Sequence, residues 1–170
     1  MAARSAERRP SAATVDILRT LVGFPTVSRD SNLALIHWVR DYLAAHGVDS
    51  VLSHGADPGK ANLFATIGTG EGGIVLSGHT DVVSIDGQDW SSDPFVLQER
   101  DGKLFGRGTC DMKGFIAAVL AKVPALAAAE RAEPVHLAFS FDEEIGCKGV
   151  GYMPADLVAR YRAGGPWRGG

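Results

Sequence analysis

The sequence predicts an α/β fold, a mixed, mostly parallel sheet flanked by helices. Segments of helical periodicity alternate with short apolar runs along the chain. Two of those runs, 74–77 and 135–141, read as buried strands. The alanine-rich stretch 112–130 lies between them, and a strand–helix–strand crossover within one sheet is parallel and right-handed by default. A chain of 170 residues suits one domain, since domains cluster at roughly 100–150 residues.

The basic stretch 1–10 reads as a flexible tail. Over 11–24, Val15, Leu18, Leu21 and Val22 recur at helical spacing behind Ser11, a suitable N-cap. Pro25 ends that helix. Asp30 or Ser31 caps a second one, with Leu35, Trp38, Val39, Tyr42 and Leu43 on one face and Gly47 just past its end. Strands follow at 48–53 and 62–67. Gly68, Gly70 and Gly73 match the letters of a dinucleotide-binding fingerprint, but an apolar strand follows where a helix N-terminus is required, so the stretch reads as an inter-strand turn. Asp101-Gly102 joins 95–99 to 103–105 as a hairpin. Pro124 kinks or splits the alanine-rich helix. A last helix is expected within 149–162, beginning near Pro154. The domain spans 11–160, and 161–170 is a glycine-rich tail.

A net charge of -3 without a basic cluster argues against a nucleic-acid partner, and no stretch has the ~20 apolar residues of a membrane span. Cys110 and Cys147 make neither a disulfide framework nor a metal-type spacing, which points to a reducing, cytoplasmic compartment. They are expected to be buried or to lie beside a metal site.

The chemistry centres on the strand ending Ser77-Gly78-His79-Thr80-Asp81. Side chains at i and i+2 share a strand face, so His79 and Asp81 can address one point beyond the sheet. The parallel crossover brings Glu143 and Glu144, after the strand 135–141, to the same edge, and Asp111 opens the connecting helix. Imidazole and carboxylate are the donors of divalent-metal hydrolytic sites, so His79, Asp111 and Glu144 are candidate ligands. Asp81 can orient the imidazole through its second nitrogen. Of Glu143 and Glu144, one can be ligand and the other general base; spacing leaves the assignment open.

At Leu76 to Val83, Gly106 to Phe115 and Phe141 to Val150 the chain resembles the aminoacylase/carboxypeptidase family of co-catalytic zinc metallohydrolases. The resemblance implies a partial zinc-exopeptidase-like catalytic domain in which His79 binds one metal, Asp111 bridges two, Glu144 is a ligand, Glu143 the general base, and Asp81 orients His79. It implies Zn2+, two ions per complete site, with Co2+ also suited to the donors. The implied substrate is a small N-acyl amino acid. Thr109-Cys110 and Cys147 favour hydrolysis of N-acetylornithine for arginine synthesis over desuccinylation of succinyl-diaminopimelate or dipeptide cleavage. Trp90 and Phe95 are expected in the substrate-side loop or in the core.

The family's further acidic ligand, about 25 residues past the glutamate pair, has no counterpart in the glycine-rich tail, and its second histidine and its dimerisation domain are absent. Full-length members are homodimers. Three expectations follow: a metal-dependent amidohydrolase with impaired turnover as this chain, a non-catalytic metal-binding fragment, or a truncated product exposing a sheet edge.

Overall fold

A computed structural model describes residues 9–153. The expected helix near Pro154, the tail 161–170 and most of the N-terminal tail lie outside that range.

Helix α1 (Ala12–Val22) begins where expected, because Ser11 Oγ accepts from Thr14 N at 3.2 Å and satisfies one of the free first-turn donors. Helix α2 (Leu33–Ala45) buries Leu35, Ile36, Val39 and Leu43, while Trp38 and Tyr42 stack at its margin with ring centroids 5.5 Å apart. Ser31 Oγ accepts from Leu33 N at 3.2 Å, as its position before the helix suggests. Asn32, at the helix boundary, turns inward instead, donating to Ala61 O at 2.8 Å and Thr80 Oγ1 at 2.9 Å.

Strands β1 (Ser50–His54), β2 (Ala61–Ile67), β3 (Ile74–His79) and β6 (Val135–Ser140) form a mixed sheet in the order β1-β2-β6-β3. Strands β4 (Gln98–Arg100) and β5 (Lys103–Phe105) make a separate hairpin. Asp101 and Gly102 both take positive φ in its turn, 52° and 71°, the backbone that Asp-Gly favours. Pro124 divides the alanine-rich stretch into α3 (Lys113–Leu120) and α4 (Val123–Ala128), since a proline tolerated in a first turn cannot continue a helix interior.

The sheet is mixed and helix-flanked as expected, but it is not mostly parallel. β1–β2 and β2–β6 are antiparallel, and only β3–β6 is parallel. The reason is that β6, the most buried strand, inserts between β2 and β3. The glycine-rich link 68–73 therefore spans β6 and does not close a hairpin. The parallel pair is the one that matters for chemistry: His79 faces Ser140 in register, and Thr80 N continues the ladder onto Ser140 O at 2.8 Å.

The core gathers Leu21 of α1, Ile36 and Val39 of α2, Leu63 of β2, Ile116 and Leu120 of α3, and Leu137 and Phe139 of β6, each fully buried. It lies behind the strand ends, so the site is built on packed elements.

The link 68–73 provides a test of local strain. A Cβ at Gly73, where φ is +95°, would lie 2.1 Å from Pro134 O, whereas at Gly70, where φ is +109°, it would meet nothing within 4 Å. Gly70→Ala should cost about 1 kcal/mol from backbone strain alone, and Gly73→Ala about 3 kcal/mol or more because the backbone must also move. Urea unfolding of the two variants checks the difference.

Candidate metal centre

The ends of β3 and β6 deliver the predicted residues to one place. His79, Glu143 and Glu144 offer ligand atoms that all lie within 4.8 Å of one another. Asp111, a sequence-predicted ligand, is not one of that group of three; it lies just before α3 with its Oδ1 2.9 Å from His79 Nε2, and Glu143 Oε2 lies 3.8 Å from the same nitrogen. The imidazole is buried, whereas the Asp111 side chain is 72% exposed and that of Glu143 42% exposed. A cleft of about 230 Å³ reaches the group, lined among others by Val83, Arg107, Cys110, Asp111 and Glu144.

Asp81 sits differently from the simple expectation of a carboxylate on the second ring nitrogen. His79 Nδ1 is 3.0 Å from the Asp81 backbone carbonyl and 3.4 Å from Oδ1. The carboxylate instead accepts from Ser28 Oγ at 2.7 Å, Glu143 N at 3.0 Å and Glu144 N at 3.3 Å. It thus ties the strand carrying the histidine to the turn carrying the two glutamates.

Electrostatics follow from this crowding. Burial disfavours a charged His79, but hydrogen bonds to Asp81 and Asp111 outweigh it and push its pKa up to about 9. Burial and the charge of Asp111 push the Glu144 carboxyl upward. For Asp81, burial acts to raise the pKa, yet the facing His79 ring and the bonds from Ser28 and the two glutamate amides hold it below the ordinary carboxylate value. One imidazole facing three carboxylates is a donor set that a divalent cation would stabilise by relieving their mutual repulsion. A cation and the imidazolium proton compete for the same Nε2 lone pair.

Two buried lysines that sequence reasoning did not single out brace the site. Lys60 Nζ donates to Asp142 Oδ1 at 2.6 Å and also to Ser28 O. Lys113 is fully buried, donates to Phe24 O at 2.6 Å, and is held down to about 7 by burial, against the pull of Asp81. Lys113 lies inside the Asp111-Met112-Lys113-Gly114 stretch, so its place in the sequence was the available signal. For Lys60 and Ser28 there was none, because their partners are far along the chain.

The turn after β6 needs unusual backbone. Asp142 takes φ 55°, which aspartate tolerates better than most residues. Gly149 packs where a Cβ would stand 2.1 Å from Phe141 O. Cys110 and Cys147 are free and exposed, not buried; both adjoin the site, Cys147 Sγ donating to Glu143 Oε1 at 3.7 Å. Trp90 belongs to the loop wall, its indole N–H donating to Gln88 and the Arg107 guanidinium lying 5.0 Å above its ring. Phe95 is half-buried in the same loop.

The family model described as peptidase family M20/M25/M40 matches residues 75–165. The chain is 35% identical over 153 residues to acetylornithine deacetylase of Proteus mirabilis, covering 86% of this chain and 40% of that protein. The acetylornithine deacetylase of Photorhabdus laumondii gives the same identity and coverage. The chain thus spans about two-fifths of the length of these relatives. Among solved structures, human carnosine dipeptidase 1 superposes with a TM-score of 0.75 at 24% identity, over 91% of this chain and 37% of that one. An M20 family metallo-carboxypeptidase of Sulfolobus solfataricus gives 0.75 at 19% identity, over 91% and 36%. At those identities the likeness is one of fold.

The raised His79 pKa makes metal-free stability pH-dependent. The stability it contributes is complete below about pH 6.5 and lost as pH rises through about 9. Lys113 acts oppositely above about pH 7, so the effect is read as a difference. In chelator, the stability gap between the unmodified chain and His79→Gln should shrink by up to about 3 kcal/mol over that window. Urea titrations at fixed ionic strength measure it, and a constant gap would contradict the assignment.

Proposed function

The chain belongs to peptidase family M20/M25/M40, and on that premise we propose that it forms the metal-binding part of an amide hydrolase acting on N-acyl amino acids, with N-acetylornithine the substrate. The observation that carries the proposal is the convergence of His79, Glu143 and Glu144 within 4.8 Å, beside Asp111, at the open end of the parallel strand pair.

His79, Asp111 and Glu144 are the residues that would hold a divalent ion, Zn2+ or Co2+ being suited to nitrogen and oxygen donors. Such an ion, when bound, polarises the scissile carbonyl and favours a nucleophilic water at neutral pH. His79 offers Nε2 because Nδ1 is engaged by the Asp81 carbonyl. Glu144, whose proton affinity is raised by burial and neighbouring charge, gains most from a cation. Asp111 is largely exposed and would offer its second carboxylate oxygen to an adjacent ion. Asp81 keeps the imidazole and the glutamate turn in one frame.

Glu143 is the general base. Its carboxylate is partly exposed, reaches within 3.8 Å of His79 Nε2, and can take the proton of the attacking water and return it to the leaving amine nitrogen. The preference for an acetylated ornithine rests on the relatives of Proteus and Photorhabdus. A cytoplasmic setting and a homodimer are part of the same proposal.

The test is metal stoichiometry with hydrolysis of N-acetylornithine, followed by release of free α-amine. Glu143→Ala should retain metal and lose at least about 100-fold in rate, whereas His79→Ala should lose the metal itself. Metal binding with no hydrolysis by the unmodified chain would favour a non-catalytic metal-binding role.

A further inference from the structure

We propose that Ser28 is a positioning residue of the metal centre, acting through Asp81 on the orientation of His79 and of the Glu143–Glu144 turn; the proposal rests on the reading of these residues as a metal site. Ser28 stands 53 residues before Asp81 and donates its hydroxyl hydrogen to Asp81 Oδ2 at 2.7 Å, the shortest of the contacts that carboxylate makes. Both residues are buried, 5% and 2% exposed, so no solvent is at hand to replace the bond.

The consequence follows from counting lone pairs. An ionised carboxylate offers about four acceptor positions. Two on Asp81 are filled by the amides of Glu143 and Glu144 and one by Ser28, and Oδ1 also faces His79 Nδ1 at 3.4 Å. With Ser28 in place, the carboxylate is held toward the glutamate turn and the ring donates to the Asp81 carbonyl. Without the hydroxyl, Asp81 has an unfilled lone pair in a buried site and one mobile donor close by, the ring N–H of His79. The carboxylate then turns toward Nδ1, and the imidazole shifts with it.

Ser28 is itself immobilised, which separates it from an incidental hydroxyl. Its amide donates to Val82 O at 3.1 Å, and its carbonyl accepts from Lys60 Nζ, whose other bond is to Asp142 Oδ1 at 2.6 Å. Two residues earlier, Thr26 Oγ1 donates to Thr80 O at 2.6 Å, and Thr26 O accepts from Val82 N at 2.9 Å. At the head of the segment, Phe24 O is held by Lys113. The segment from Phe24 to Ser28 is thus clipped along the strand end that carries the histidine. Through Lys60 and Asp142 it is also clipped to the residue before the glutamates.

The experiment compares Ser28→Ala, Ser28→Thr and Ser28→Cys with the unmodified chain in two measurements. Zn2+ affinity is read by competition with a chromophoric chelator, and the His79 ring is read by long-range proton–nitrogen NMR of the metal-free protein. Ser28→Ala should weaken Zn2+ binding about 10-fold or more and move the His79 nitrogen signals, and Ser28→Thr, which keeps the hydroxyl, should restore both. Ser28→Cys keeps the volume with a weaker donor and should fall between, which covers the case of an alanine variant that does not fold. Zn2+ affinity within twofold of the unmodified chain and an unmoved His79 ring in Ser28→Ala, or in Ser28→Cys where the alanine variant does not fold, while His79→Ala abolishes binding, would overturn the proposal and leave the metal site standing. Undiminished binding by His79→Ala, or none by the unmodified chain, would remove the metal site and the proposal with it.

Discussion

The Asp81 carboxylate is the constraint on which the site depends. It is a buried charge that accepts from a distant serine and from the two amides that open the glutamate turn. Buried carboxylates are costly unless their lone pairs are filled, so its burial forces those partners into place. The histidine strand and the glutamate turn cannot separate without stranding that charge. The candidate ligands at the ends of two strands are thereby held in one frame, which is the pre-organisation that a precise metal site would require.

Around this carboxylate the fold sets opposite charges at different depths. Lys60 and Lys113 are lysine amines buried behind the acidic group, each bonded to a backbone carbonyl of the segment that runs past Asp81. Their burial is unusual, since lysine is seldom fully enclosed unless paired. Lys60 is paired with Asp142, and Lys113 is the less compensated of the two, as its lowered pKa reflects. The exposed carboxylates, Asp111 and Glu143, lie on the open side. The site thus presents negative charge to solvent from a base that is internally braced.

Much of this was legible in the sequence because it is written in short-range pattern. Ser11 as a cap, the helical spacing of Leu18 and Leu21, and Asp101-Gly102 as a hairpin turn are local matters of backbone preference. His79, Glu143 and Glu144 stood out as metal-type donors beyond strand ends, and Asp111 as one ahead of the connecting helix. Sheet order was less legible, because β6 pairs on both sides with strands about 60 to 76 positions earlier and no local signal shows which strand it enters beside. The mostly parallel expectation came from a sound rule about one crossover extended to a whole sheet. Ser28 and Lys60 were overlooked for the same reason: a serine in a loop and a lysine before a strand are ordinary until their partners are known.

What the sequence determined by itself was the inventory: which segments coil or extend, and which side chains can bind a cation or move a proton. Those properties belong to single residues and their near neighbours. Tertiary structure alone decided that the Asp81 carboxylate serves the glutamate turn while its carbonyl serves the histidine, and that Ser28 and two lysines hold that arrangement. The physical reason is that a buried charge takes whichever donors the packed chain brings within about 3 Å, and those donors come from residues whose separation along the chain bears no relation to their distance in space.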